Sequence, residues 1–217
     1  MRNLNELIDI RDPGIEKIRE WMREAINDCV LLPPSEHRGE VLLQTQVTTR
    51  STMGAIAYET GGVLVDGGWL RFPGSGHPNI SRTLPDWNKS RSNGYYLVAD
   101  DAAGGFFAIN GGALGTDVKN MYYWAPDSLE WRPMNIGFTD FFVWSLSERL
   151  AQFYESLRWP SWREDTATLS GDQCFSFYPF LWAGGSMTAS HRSPVPVREA
   201  YDLKIDLLRQ LSERNLR

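Results

Sequence analysis

The sequence predicts a single α+β domain, a mainly antiparallel sheet with flanking N-terminal and C-terminal helices. Three observations lead there. Residues 94–131 hold four short apolar runs joined by turns, with no helical stretch between them, so the strands must meet as hairpins and not through parallel crossovers. Near both ends of the chain the apolar residues recur every three or four positions, as on one face of a helix. A length of 217 residues suits one large domain with a substantial core.

The elements follow in order. Asp12 is expected to cap and Pro13 to open a first helix, with Ile15, Ile18, Met22, Ala25 and Ile26 as its apolar face. Pro33 and Pro34 end the connection, and Ser35 is expected to cap a second helix that buries Val41, Leu42 and Leu43. From Gly61 onward glycine pairs punctuate short apolar runs, so 63–65 and 69–72 read as strands. Residues 83–93 read as a short helix or loop. The strand series is then 95–99, 106–109, 121–124 and 131–134. These runs are almost continuously apolar, which predicts a sheet covered on both faces in places. Residues 100–105 and 126–128 are short enough for hairpins, and 110–120 is a longer glycine-rich loop.

Helix returns after Gly137. Thr139 is expected to cap it, and Phe142, Leu146, Leu150, Phe153 and Leu157 form its stripe, interrupted near 145–147 and stopped by Pro160. The aromatic run FSFYPFLW (175–182) reads as an edge strand, since Pro179 bars a central position. Residues 184–196 read as a linker and Val197, Tyr201, Ile205, Leu208 and Leu211 as a last amphipathic helix. The expected organisation is therefore a domain over 1–183 and a linker with its helix over 184–217. That helix could dock on its own domain or on a second copy, which leaves a homodimer open.

Composition narrows the function. The net charge is −5 with no basic block, which argues against nucleic acid as a partner. No apolar run reaches membrane-spanning length, and the opening MRNLNELIDIRD lacks the apolar core of a signal peptide, so a cytoplasmic location and no membrane partner are expected. Cys29 and Cys174 form no CxxC and are expected as free thiols. Nine tryptophans raise the odds of a recognition function, with most of the aromatics expected in the core and a few left as surface anchors.

Conventional chemistry is sparse. His37, His77 and His191 each lack a neighbour at metal-ligand spacing, so neither a metal nor a cofactor is expected, and no catalytic residue is assigned. The glycines at 74–76 and 110–112 complete no phosphate-binding motif and read as turn residues. Asp100 and Asp101 follow a strand and precede a turn. They are expected to shape that turn, with side chains on opposite faces. Tyr122, Tyr123 and Trp124 must alternate between faces. The contact candidates for a partner are Asn110, Gly111 and Gly112 in the long loop and the aromatics Tyr122, Trp124 and Trp131.

Several segments resemble an uncharacterised bacterial family, the domain of unknown function 2625: TRSTMGAIAYETGGVLVDGGWLRFPGSGHP (49–78), LVADDAAGGFFAINGGALG (97–115), YYWAPDSLEW (122–131), FYESLRWPSW (153–162) and FSFYPFLW (175–182). The resemblance spans roughly 1–183 and carries over no catalytic residue. More distantly, GWLRFPGSG, then LVADDAAGGFFAIN and MYYWAPDSLEW, then an FTDFFVWSL helix, resembles the SUKH superfamily in element order. The chain departs from it in its tail and in the RWPSW and FSFYPFLW elements. That resemblance implies a SUKH-like fold and a protein partner, a toxin among the candidates, because many bacterial members act as immunity proteins. The expected function is a protein-binding module that occludes a partner's surface. The alternative is a small-molecule or carbohydrate-processing enzyme built on Asp66, Asp100 and Asp101 near His77.

Overall fold

A short helix α1 (Leu4–Leu7) and the amphipathic α2 (Gly14–Arg23) open the chain. The structure is a computed structural model that describes residues 1–91 and 93–215, with side chains through 211. Residue 92 of the 83–93 segment and residues 216–217 of the expected tail lie outside the described residues. In α2 Ile15 and Ile18 are buried as the periodicity requires, whereas Ile26 lies beyond the helix end and is 71% exposed. Asp12 does not cap: the helix begins after Pro13 with no side-chain cap, and Asp12 pairs instead with Arg50.

Beside α1, a strand and a helix in this first part of the chain escaped the sequence reading. Strand β1 (Cys29–Leu32) precedes α3 (Arg38–Thr45), and α4 (Thr52–Glu59) follows it. Ser35 is not the cap of α3. Its hydroxyl donates to the Ser75 carbonyl at 2.6 Å, and its N–H donates to the Ser75 hydroxyl. The cap of α4 is Ser51, whose hydroxyl accepts from Gly54.

Then comes the sheet proper: β2 (Gly62–Val65), β3 (Leu70–Pro73), helix α5 (Leu84–Asn88) capped by Thr83, β4 (Tyr95–Asp101), β5 (Phe106–Asn110), β6 (Met121–Trp124) and β7 (Trp131–Pro133). The seven strands lie side by side in chain order, every pair antiparallel. Strand alternation sorts their side chains. Phe107 and Tyr123 join one core, with Val63, Phe72, Phe141 and Leu150. Phe106, Ala108 and Trp124 join the other, with Trp87, Leu97 and Tyr201. Two covered faces explain why the strands read as unbroken apolar runs.

Helices α6 (Phe138–Ser145) and α7 (Arg149–Phe153) pack on the first face, and the stripe breaks where expected. Thr139 is inside α6, not its cap, and its hydroxyl meets that of Thr52 at 3.0 Å. After α8 (Trp162–Thr166), strand β8 (Gln173–Tyr178) pairs, among the described residues, with β9 (His191–Pro196) alone, forming a separate two-stranded sheet. The second half of segment 184–196 is therefore a paired strand, not a linker, and the pair bridges the expected 183/184 boundary. Helix α9 (Val197–Asn215) lays Val197 and Tyr201 on the second face. Among the described residues no helix is long and apolar enough to cross a membrane.

Two outcomes follow. Removing 184–217 takes away the partner of β8 and uncovers Phe106 and Trp124. We expect the truncated chain to lose its cooperative unfolding transition and to aggregate, which circular dichroism and size-exclusion chromatography would report; a folded, monodisperse product would contradict this. Cys29 and Cys174 are both free. Burial pushes the Cys29 thiol up to about 11 and the Cys174 thiol up to about 12. A thiol reagent at pH 8 should find two groups in denaturant. In the native protein it should react slowly with half-buried Cys29 and leave Cys174 untouched.

Candidate functional site

The residues singled out from sequence are used mostly for structure. Asn110 is buried and organises the loop after β5. Its amide donates to the Gly115 carbonyl at 2.9 Å, and its carbonyl accepts from Gly112 at 2.7 Å and Leu114 at 3.1 Å. Gly111 and Gly112 are exposed at the loop's tip. Tyr122 is buried and donates to Asp117 at 2.5 Å, which is the largest effect holding that carboxyl below the usual range. Trp124 is fully buried, with its indole N–H on the Ser128 carbonyl. Trp131 is half-buried between Trp124 and Tyr95. Tyr122 and Trp124 therefore offer little surface to a partner: β7 pairs beside both, and α9 packs over Trp124.

The acidic residues are equally committed. Asp66 takes Arg158 at 2.6 Å and Arg163 at 2.8 Å. Asp100, with no exposure, sits between Arg71 and Arg82, and Arg82 continues to Asp172 at 2.7 Å. Asp101 points the other way and accepts four hydrogen bonds: from the Ala103 and Gly105 amides at 3.0 and 2.8 Å, and from the Tyr123 and Tyr154 hydroxyls at 2.8 and 3.0 Å. Burial pushes its carboxyl up, against the pull of those donors. Gly105 is required there by space: an added Cβ would lie 2.3 Å from an Asp101 oxygen and 2.6 Å from the Tyr123 hydroxyl. His77 accepts from Asn79, His37 lies 3.9 Å from Glu36 and Glu40, and His191 bonds Ser193 at 3.0 Å. Among the described residues no three His, Cys, Asp or Glu side chains are gathered as for a metal ion.

A different place combines an apolar concavity with an unusual polar group. The loop after β8 leaves Tyr178 75% exposed and stacks Phe180 on Trp182 at 4.9 Å and 14°. Facing it, α9 presents Leu203, 41% exposed, and Lys204, 6% exposed. Phe180, Trp182, Leu203 and Lys204 line one groove, closed by Gly104 and Pro126 from two hairpins, with about 40 Å³ of free space at its base. That holds a few water molecules or the tip of a side chain, and is too small for a typical metabolite.

Lys204 is the groove's distinctive group. Its ammonium donates to the Ala125 carbonyl at 2.6 Å and lies 5.1 Å from the Trp124 ring and 5.7 Å from the Phe106 ring. An ammonium has three donors, and this is the single hydrogen bond it makes among the described residues. Burial pulls its pKa down to about 7, with Asp101 the largest opposing influence. The sequence did carry a signal for it. Lys204 stands seven residues after Val197, squarely on the apolar stripe of α9, where a lysine is out of place.

The comparisons with known proteins agree with one another. The family described as "Protein of unknown function DUF2625" matches residues 4–200. A "Putative uncharacterized protein YbfG" of Escherichia coli (strain K12) is 41% identical over 211 residues, covering 95% of this chain and 97% of that one. An "Uncharacterized protein" of Haemophilus influenzae is 39% identical over 189 residues, covering 83% of each.

Proposed function

The chain belongs to the DUF2625 family of proteins of unknown function, and we propose that it is a protein-binding module. Its contact surface is the groove between the β8 loop and α9, and its partner supplies an acidic side chain that reaches Lys204. The observation that carries this reading is the combination at one site of stacked, partly exposed Phe180 and Trp182 with a buried lysine whose hydrogen-bonding capacity is largely unspent. Aromatic anchors around a desolvated polar contact are the usual core of a protein interface. The small free volume favours a side-chain tip over a free metabolite. Neutralisation of a toxin by occlusion is the narrower form of this reading that the SUKH-like element order implies.

The test is affinity capture from the native host, run in parallel with wild type, Trp182→Ala and Lys204→Met at matched circular dichroism. A partner held by the wild type and lost by both variants supports the groove. A partner held equally well by all three removes it as the contact surface.

A further inference from the structure

We infer that the cleft between the β2–β3 turn and the segment following α8 is a binding site for a small molecule bearing a single carboxylate. The cleft is distinct from the Lys204 groove and has a volume of about 240 Å³, enough for a compact acid. One wall is Gly67 and Gly68 of the β2–β3 turn, which follow Asp66 and continue its positive φ of 53° with 66° and 84°. A Cβ on either glycine would meet nothing within 4 Å, so glycine is set there by backbone conformation, and it leaves this wall bare of side chains. The opposite wall is Thr166, Ser170 and Gly171, and Arg71 also lines the space.

Two polar groups in this lining are unspent. Thr166 is 4% exposed and its hydroxyl has no partner among the described residues. Such orphans are uncommon in native proteins. Arg71 has five N–H donors. Its Nε–H and both Nη2 hydrogens serve Asp100 and the Asp101 carbonyl, and one Nη1 hydrogen serves the Gln173 carbonyl, which leaves one Nη1–H without an acceptor among the described residues.

The donors left unspent select an oxyanion. Arg71 is the sole ionisable residue in the lining. Arg71 and Arg82 are matched in number by Asp100 and Asp172, so the ion pairs balance and what remains unspent at Arg71 is a donor, not a net charge. A guanidinium N–H and a hydroxyl that line one space suit an oxyanion. One spare charge-bearing donor matches a singly charged carboxylate better than a phosphate.

The experiment is an amide NMR titration of the full chain with acetate, acetamide and inorganic phosphate. Acetate should shift the amides of Gly67, Gly68, Thr166 and Gly171 in a saturable way, and acetamide should not. Thr166→Val keeps the shape and removes an unpaired hydroxyl, so it should melt no lower than the wild type and bind acetate at least tenfold more weakly. Absent shifts at these amides, equal shifts with acetamide, or unchanged affinity in Thr166→Val would each overturn the site. Phosphate binding more tightly than acetate would overturn the ligand class. None of these results bears on partner capture by the groove.

Discussion

Asp100→Asn should destabilise the protein by about 3–5 kcal/mol, the range for breaking a buried ion pair by removing one partner. Asp100 has no exposure and is the shared counter-ion of Arg71 and Arg82, which are themselves 1% and 3% exposed. Asparagine fits the space but carries no charge, so two guanidiniums are left in the core with Asp172 paired to Arg82 and no ion-pair partner for Arg71 among the described residues. Domains are stable by about 5–15 kcal/mol in total, so the loss is a large fraction of the whole. It should lower the melting temperature by roughly 6–20 °C at this chain length. Denaturant unfolding gives the number directly. Adding Arg71→Met should cost less than the two single losses summed, because each change removes the reason the other is harmful. A loss below about 1 kcal/mol, the scale of an exposed pair, would show that the network is solvated. A turn-forming role for Asp100, as read from the sequence, would have meant a modest effect.

Lys204→Met should act in the opposite direction and stabilise the protein near neutral pH. The folded pKa of about 7 lies below the ordinary 10.5. Between those values the unfolded chain holds the proton and the folded chain does not, so this group makes stability rise with pH from about 7 to 10.5. Below 7 both states are protonated and its penalty is complete, at most about 5 kcal/mol by the size of the shift. Methionine removes that penalty but leaves the Ala125 carbonyl unpaired, which costs about 1–3 kcal/mol. The net gain at pH 6 should be about 1–3 kcal/mol, shrinking as the pH is raised to 9. Urea unfolding of both proteins at the two pH values isolates Lys204, since other titrations are common to both. A variant less stable than the wild type at pH 6 would show that the ammonium is well solvated. A gain in stability together with a loss of partner capture is the trade expected where a residue is kept for binding.

The sequence pattern located the strands between 62 and 134 well because each is bounded by turn residues and loaded with apolar side chains. It missed β1 because CVLL is short and sits between polar residues and Pro33–Pro34. It missed α4 because TMGAIAYE is buried on most sides and shows no polar face to set a period. The caps failed for another reason. Asp12, Ser35 and Thr139 are of capping type, but each found a partner distant in sequence: Arg50, Ser75 and Thr52. Of the aromatic contact candidates, Tyr122 and Trp124 are buried and Trp131 is half-buried. Alternation put Tyr123 and Trp124 on different faces and the apolar runs implied cover on both in places, but nothing local said which element would lie over Trp124. The groove residues were visible only as an irregularity, a lysine in the α9 stripe and an aromatic run broken by Pro179.

The chain-order meander has a consequence during synthesis. Each hairpin from β2 to β7 can close as it leaves the ribosome, since each strand's neighbour is the next one made. The face bearing Leu97, Phe106 and Trp124 is different, because Val197 and Tyr201 that cover it come at the other end of the message. Roughly 70 residues separate the last strand of the meander from Tyr201, which is about 3–14 s at translation rates of ~5–20 residues per second. For that interval the nascent chain carries a formed sheet with one aromatic side open to water. Synthesis of residues 197–201 is thus the step that closes this face, and the yield of soluble protein is expected to respond to their translation more than to that of any strand before them.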